Sequence, residues 1–227
     1  MTEIITRRSM LAGTAATALL ALPACTTMGG GFSLTEAVRR LLLLSSERAF
    51  ARLAADGGFW DEQVARIGLG QLLGARGDVL SNILTSALFK DRLEGVFADF
   101  AIDASYRAAP IVTDAVRVIG LQNAVDLVRG GPSAATDYLR QDIGLALLDA
   151  MVPGLTDAIR LADDPLVGQA INALTGVDVR GVASRLGNRV NDTIWNELGR
   201  EEAAIRADPR STRDPLLIGV FGAASRF

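Results

Sequence analysis

Histidine is absent from all 227 residues, and cysteine and lysine occur once each, as Cys25 and Lys90. Without an imidazole the chain lacks the usual general base near neutral pH and the base of Ser-His-Asp and Cys-His nucleophile systems. A single thiol allows no internal disulfide, and together the two absences remove nearly every zinc or haem site. No metal and no cofactor is therefore expected. Aromatic residues make up only 5% of the chain, so Trp60 and Trp195 read as anchors of a core or interface. Acidic residues outnumber basic ones by 26 to 23, and a mildly acidic surface is wrong for nucleic acid, whose phosphates require a basic face.

The richest local pattern lies in the first 25 residues. Arg7-Arg8 precede Ser9-Met10-Leu11, and a charge-free apolar stretch then runs from Met10 to Ala24. That stretch is too short to span a bilayer, which takes roughly 20 apolar residues. Its basic head, short apolar centre and small residue at the end are the parts of a secretory signal. Arg7 and Arg8 resemble a twin-arginine export signal; the general export route is the alternative. Leu22-Pro23-Ala24-Cys25 resembles a bacterial lipobox, so Cys25 is expected to take a diacylglycerol and become the new N-terminus. Thr26 stands where an aspartate would suggest inner-membrane retention. The expected location is thus the periplasm-facing side of the envelope, at the outer membrane. The expected organisation is a signal peptide over 1–24, a lipidated cysteine and flexible tether over 25–32, and a helical domain over 33–227.

Beyond the tether, the apolar spacing is helical throughout. Ser33-Leu34-Thr35-Glu36 has capping-box spacing and opens a helix that Asp56-Gly57-Gly58 closes. The stretch 68–77 holds four glycines and reads as short turns and loop, with a helix following over 78–88. Asp91–Ala109 is helical, with Pro110 breaking or kinking it. Leu121–Arg129 forms a short helix stopped by Gly130-Gly131. A further helix starts at Pro132 or Ser133 and runs to Met151. Pro153 and Pro165 mark two more starts, Val179–Ala207 is a long helix ended by Asp208-Pro209, and the apolar segment Leu216–Phe221 docks on the core. There is no strand alternation and no fixed-period repeat. The fold class predicted is all-α, an irregular helical bundle in a single domain.

Three segments resemble a known pattern: Gly130-Gly131-Pro132-Ser133-Ala134-Ala135-Thr136-Asp137-Tyr138-Leu139-Arg140, then Glu201-Glu202-Ala203-Ala204-Ile205-Arg206-Ala207-Asp208-Pro209, then Pro215-Leu216-Leu217 with Val220-Phe221-Gly222. In this order they are similar to the bacterial family called domain of unknown function 4197. The resemblance covers roughly residues 34 to 223. It implies exported, often lipid-anchored helical proteins and no particular activity.

On a helical wheel of the last long helix, Leu186, Val190, Ile194, Leu198 and Ile205 fall within an arc of about 120° at roughly 100° per residue. Glu201 falls in the middle of this arc, Glu197 near its edge, and Glu202 and Arg206 point away, free to pair at i,i+4. A buried carboxylate needs a partner. The expected partner of Glu201 is Arg140, with Tyr138 adding a hydrogen bond, so that Tyr138, Arg140 and Glu201 form a buried polar cluster. Such a cluster either fixes helix register or lines a polar cleft.

Other candidates carry less. Gly130-Gly131 lacks the preceding strand and the Lys-Ser/Thr of a phosphate loop. Asp163-Asp164 before Pro165 caps a helix rather than binding calcium, since repeated oxygen-ligand spacing is missing. The leading functional expectation is a non-enzymatic envelope protein that binds an unknown protein partner or supports the envelope. A carrier or sensor of an apolar ligand such as a lipid is the alternative. A carboxylate-based hydrolase with Glu201 as acid or base is the third, although the sequence offers no second carboxylate opposed to it. No catalytic residue is assigned.

Overall fold

The computed structural model describes residues 33–55, 59–67, 87–160 and 179–224, and these contain seven α-helices. They are α1 (Leu34–Leu53), α2 (Phe59–Ile67), α3 (Ala87–Val118), α4 (Ala124–Arg129), α5 (Ala134–Arg160), α6 (Val179–Ala207) and α7 (Pro215–Ala224). A 3-10 turn, Pro209–Thr212, joins the last two. Among the described residues there is no strand, and no helix is long and apolar enough to cross a membrane. Ser33–Phe227 forms one compact unit. The export signal with Arg7 and Arg8, the lipidation position Cys25, the tether and the glycine-rich 68–77 stretch lie outside the described residues, as do residues 78–86 and Pro165.

Helix α1 begins where its cap predicts. Ser33 Oγ accepts the Glu36 backbone N–H at 3.2 Å, satisfying one of the four donors a helix start leaves open. Two buried hydroxyls are handled inside this helix: Ser45 and Ser46 each donate to the carbonyl four residues back, both at 2.7 Å. The inner side of α1 carries Val38, Leu41, Leu42, Ala49 and Leu53, all fully buried.

Of the break or kink expected at Pro110, the break does not occur: helix α3 is continuous across it to Val118. Proline at 110 removes one bond to the Tyr106 carbonyl. Both residues are exposed, so water can take the place of the lost bond. The inner face of α3, from Phe97 through Ala101, Ala104 and Ala108 to Val116, stays in register over both halves and holds the helix together. Its small alanines let α2 lie close, and Trp60 of α2 is buried there. The Trp60 Nε1–H donates to Ser105 Oγ at 3.1 Å, and that hydroxyl passes its own hydrogen to the Ala101 carbonyl at 2.7 Å.

Helix α5 likewise runs past Met151 and through Pro153 to Arg160, so Pro153 starts no helix of its own. The short helix α4 begins at Ala124, after a turn in which Asn123 takes a left-handed φ of 63°. Asparagine tolerates that conformation better than most residues. Helix α6 matches its expected bounds and occupies the middle of the bundle, packed on α1 along one side and on α5 along the other. Leu186, Val190, Ile194, Leu198 and Ile205 meet the core as the wheel predicts, and Trp195 is buried with them. The closing segment forms α7, which lays Leu217 and Phe221 against the core and packs on α1, α4 and the 3-10 turn.

Candidate functional site

The deepest charge in the described structure is Glu202, fully buried. It lies one turn before the end of α6, opposite the first turn of α5. Glu202 Oε1 accepts the Ala135 backbone N–H at 3.0 Å, and Oε2 accepts that of Thr136 at 2.7 Å. These two amides are the second and third of α5, the donors a helix's own capping side chain normally takes. Here Ser133, in the capping position, turns its hydroxyl to Asp137 Oδ2 at 2.9 Å instead. The cap is therefore supplied from another helix, and a carboxylate at a helix N-terminus is favoured by the macrodipole.

Arg206, one turn further along α6, completes the arrangement. Its Nε and Nη2 reach Glu202 Oε1 at 2.8 and 2.7 Å. The same guanidinium donates from Nη1 to the Val128 carbonyl at 3.0 Å and from Nη2 to the Leu127 carbonyl at 2.8 Å. Those carbonyls belong to the last turn of α4, where positive charge complements the dipole. The guanidinium carbon also stands 4.8 Å from the Phe221 ring centroid of α7, within cation–π range. One ion pair thus closes the C-terminal end of α4 and the N-terminal end of α5, and it does so across the Gly130-Gly131-Pro132-Ser133 turn.

Close approach makes this geometry possible. A Cβ on Gly130 would lie 2.6 Å from the Ala134 Cβ and 2.9 Å from the Asp126 carbonyl, so a side chain there has no room. Gly130 has φ −68°, so space rather than backbone freedom requires glycine. Gly199, on the side of α6 that meets α5, would bring a Cβ within 3.2 Å of the Ser133 Cβ. Beside the carboxylate, buried Thr136 Oγ1 has no hydrogen-bond partner.

The structure does not bring the expected cluster together. Glu201 is not paired with Arg140: its Oε1 accepts from Arg52 Nη2 at 3.2 Å and stands 3.7 Å from Arg200 Nη2. Arg140 pairs with Asp192 Oδ1 at 2.5 Å, across α5 and α6 on a half-exposed surface. The Tyr138 hydroxyl donates to the Gly120 carbonyl at 2.8 Å and ties the turn before α4 to α5. Glu202 and Arg206 pair as their spacing predicts, but toward the interior instead of the solvent. The wheel turned Glu201 inward correctly, its side chain being only 12% exposed, but set Glu202 toward solvent because it counted aliphatic residues alone. Asn191, Trp195, Gly199, Glu202 and Arg206 line a second inward face of α6, created because α5 covers the side opposite α1. Trp195 and its neighbour Asn191, joined by an Nε1–H donation of 3.1 Å, were the legible signal of that face.

Glu201 belongs to a second network with Glu197, Arg52 and Arg200, linking α1 to α6. Arg200 Nη2 meets Glu197 Oε2 at 2.6 Å, and Arg52 Nη1 reaches the same oxygen at 3.5 Å. Burial pushes the Glu197 carboxyl above its ordinary value; Arg52 opposes this shift and the neighbouring Glu201 charge adds to it. Both carboxylates project from one face of one helix, and each already contacts arginine. Neither arrangement resembles two opposed carboxylates around a scissile bond. Among the described residues no group of three or more acidic or cysteine side chains could hold a metal ion.

The site joins all three segments that suggested kinship: the Gly-Gly to Ala-Ala-Thr turn, the Glu-Glu…Ile-Arg stretch and the closing Val-Phe-Gly. It defines an all-α protein whose helix ends are cross-capped by one buried ion pair. The chain belongs to the family described as protein of unknown function DUF4197, which matches residues 31–222. No curated protein and no solved structure matches the chain.

Proposed function

We propose that this protein is an exported lipoprotein, acylated at Cys25 and held at the periplasm-facing side of the envelope. Its helical domain serves there as a non-enzymatic binding or structural module. The observation that carries the reading is Leu22-Pro23-Ala24-Cys25 at the end of an uncharged apolar stretch preceded by Arg7-Arg8. The family match begins at residue 31, downstream of Cys25, which fits a removable address ahead of a folded domain. The absence of histidine and the occupation of both Glu202 oxygens by internal donors favour binding over catalysis.

Mass spectrometry of the protein recovered from membranes tests the anchor. The expected product starts at Cys25 and carries acyl chains, sediments with outer membrane, and is released to the soluble fraction by Cys25→Ala. A mature chain that starts elsewhere and carries no lipid overturns the reading. Native mass spectrometry after exposure to envelope extract tests the module: a reproducible protein adduct supports it, and an apolar small-molecule adduct favours a lipid carrier instead.

A further inference from the structure

The end of the domain nearest the tether carries a feature that the cross-capped site does not use. Helix α7, Pro-Leu-Leu-Ile-Gly-Val-Phe-Gly-Ala-Ala, contains no charged or hydrogen-bonding side chain in ten residues. A helix apolar all round is ordinarily buried on every side. Here Leu217 and Phe221 are buried, whereas Pro215 and Gly219 are exposed and Leu216, Ile218 and Val220 are only half-buried. The helix is placed by α1: Arg40, within two turns of the α1 start, bonds Asp214 Oδ2 at 3.1 Å just ahead of α7. The residues leading into α7 include the exposed Arg210 and Arg213. On the other side of Ser33, the eight peptide steps back to Cys25 span at most about 29 Å even when fully extended.

We propose that the outward side of α7, together with Arg210 and Arg213, rests on the anionic phospholipid surface to which Cys25 is anchored. The inference builds on the lipoprotein reading above, because the anchor brings this end of the domain to the membrane. Two chemistries then act together. Apolar Leu216, Ile218 and the small Pro215–Gly219 strip meet the headgroup–acyl boundary. Arg210 and Arg213 meet phosphate, while Asp214 is held by Arg40 and by the backbone N–H groups of Leu216 and Leu217, at 2.8 and 3.3 Å. The contact orients the domain, with the outward side of α7 toward the bilayer.

The mature full-length chain with Cys25→Ser, which cannot be acylated, separates this contact from the anchor. An environment-sensitive fluorophore is placed on Gly219→Cys or, as a control, on exposed Leu145→Cys. The expected result is a blue shift for the Gly219 position with phosphatidylglycerol-containing vesicles and none for the Leu145 position. Arg210→Glu with Arg213→Glu should weaken vesicle binding roughly tenfold or more while leaving the thermal midpoint unchanged. Absence of binding to these vesicles, or equal shifts at both labels, overturns the proposal. The lipid state of Cys25 in cells is read independently by mass, so failure of the anchor is not confused with failure of the contact.

Discussion

Glu202 and Arg206 stand one turn apart on α6, and between them they terminate two other helices. Glu202 takes the Ala135 and Thr136 amides of α5, and Arg206 takes the Leu127 and Val128 carbonyls of α4. A buried ion pair repays its desolvation only when its remaining donors and acceptors are also satisfied. Here they are satisfied by helix ends that themselves need partners.

Breaking this pair from either side leaves a charge and two backbone groups stranded. Glu202→Ala and Arg206→Ala are each expected to destabilise the domain by about 3–5 kcal/mol. Arg206→Lys should recover little, because an ammonium cannot reproduce the planar fork that spans carboxylate and two carbonyls. Urea denaturation measures all three, and a double-mutant cycle should show strong coupling. A loss near zero for Glu202→Ala would mean that water caps α5 equally well.

The two adjacent glycines should respond differently. Gly130→Ala forces a Cβ against Ala134 and the Asp126 carbonyl and is expected to cost about 1–3 kcal/mol. Gly131→Ala meets nothing within 4 Å, so its midpoint should stay within about 0.5 kcal/mol of the parent. Thermal or urea unfolding of the pair distinguishes a packing requirement from a general need for a flexible turn.

Thr136 offers a change in the opposite direction. Its hydroxyl is buried without a partner, whereas its backbone N–H holds Glu202. Thr136→Val keeps the shape and the amide and removes the unpaired oxygen. It should leave stability unchanged or raise it by up to about 1 kcal/mol. A marked loss in the unfolding midpoint would reveal a hidden partner for that oxygen.

Glu197 and Asp214 give the pH dependence opposite signs. Burial raises the Glu197 carboxyl above its ordinary 4.5, so its contribution is fully present below that value and lost as pH rises through the folded value. For Asp214 burial pulls upward, but the Leu216 and Leu217 amides and Arg40 prevail and hold it below its ordinary 3.8. Its contribution is present above 3.8 and lost as pH falls through the lower folded value. Glu197→Gln should therefore be more stable than the parent at pH 7, with the advantage closing below about pH 4.5. Asp214→Asn should be less stable at pH 7 and converge with the parent in strong acid. Urea midpoints from pH 7 down into strong acid check both, and a destabilised Glu197→Gln at neutral pH would show that Arg52 and Arg200 outweigh burial.

Much of the fold was legible because local signals agreed with the packing. The Ser33 cap, the aliphatic stripe of α6 and its stop at Asp208-Pro209 each depend on residues within a turn or two of one another. The helix ends read at Pro110 and Pro153 did not hold, because a proline states only that one N–H is missing. Whether the helix survives depends on the inner face beyond it, and Ala108 and Val112 keep that face unbroken past Pro110. For the candidate site, the sequence pointed to the right motifs, the right helix and an inward Glu201, but gave Glu201 the wrong arginine and turned Glu202 outward.

Composition and periodicity alone determined that this is a helical protein without imidazole chemistry, since those properties belong to residues one at a time or one turn apart. They also placed Glu202 and Arg206 in pairing register. Only the tertiary structure decided that the pair faces inward. That outcome required α5 to cover α6 on the side away from α1, presenting two open amides to Glu202 and the end of α4 to Arg206. A single helix has no inside until its neighbours are in place, and α6 has neighbours on two sides.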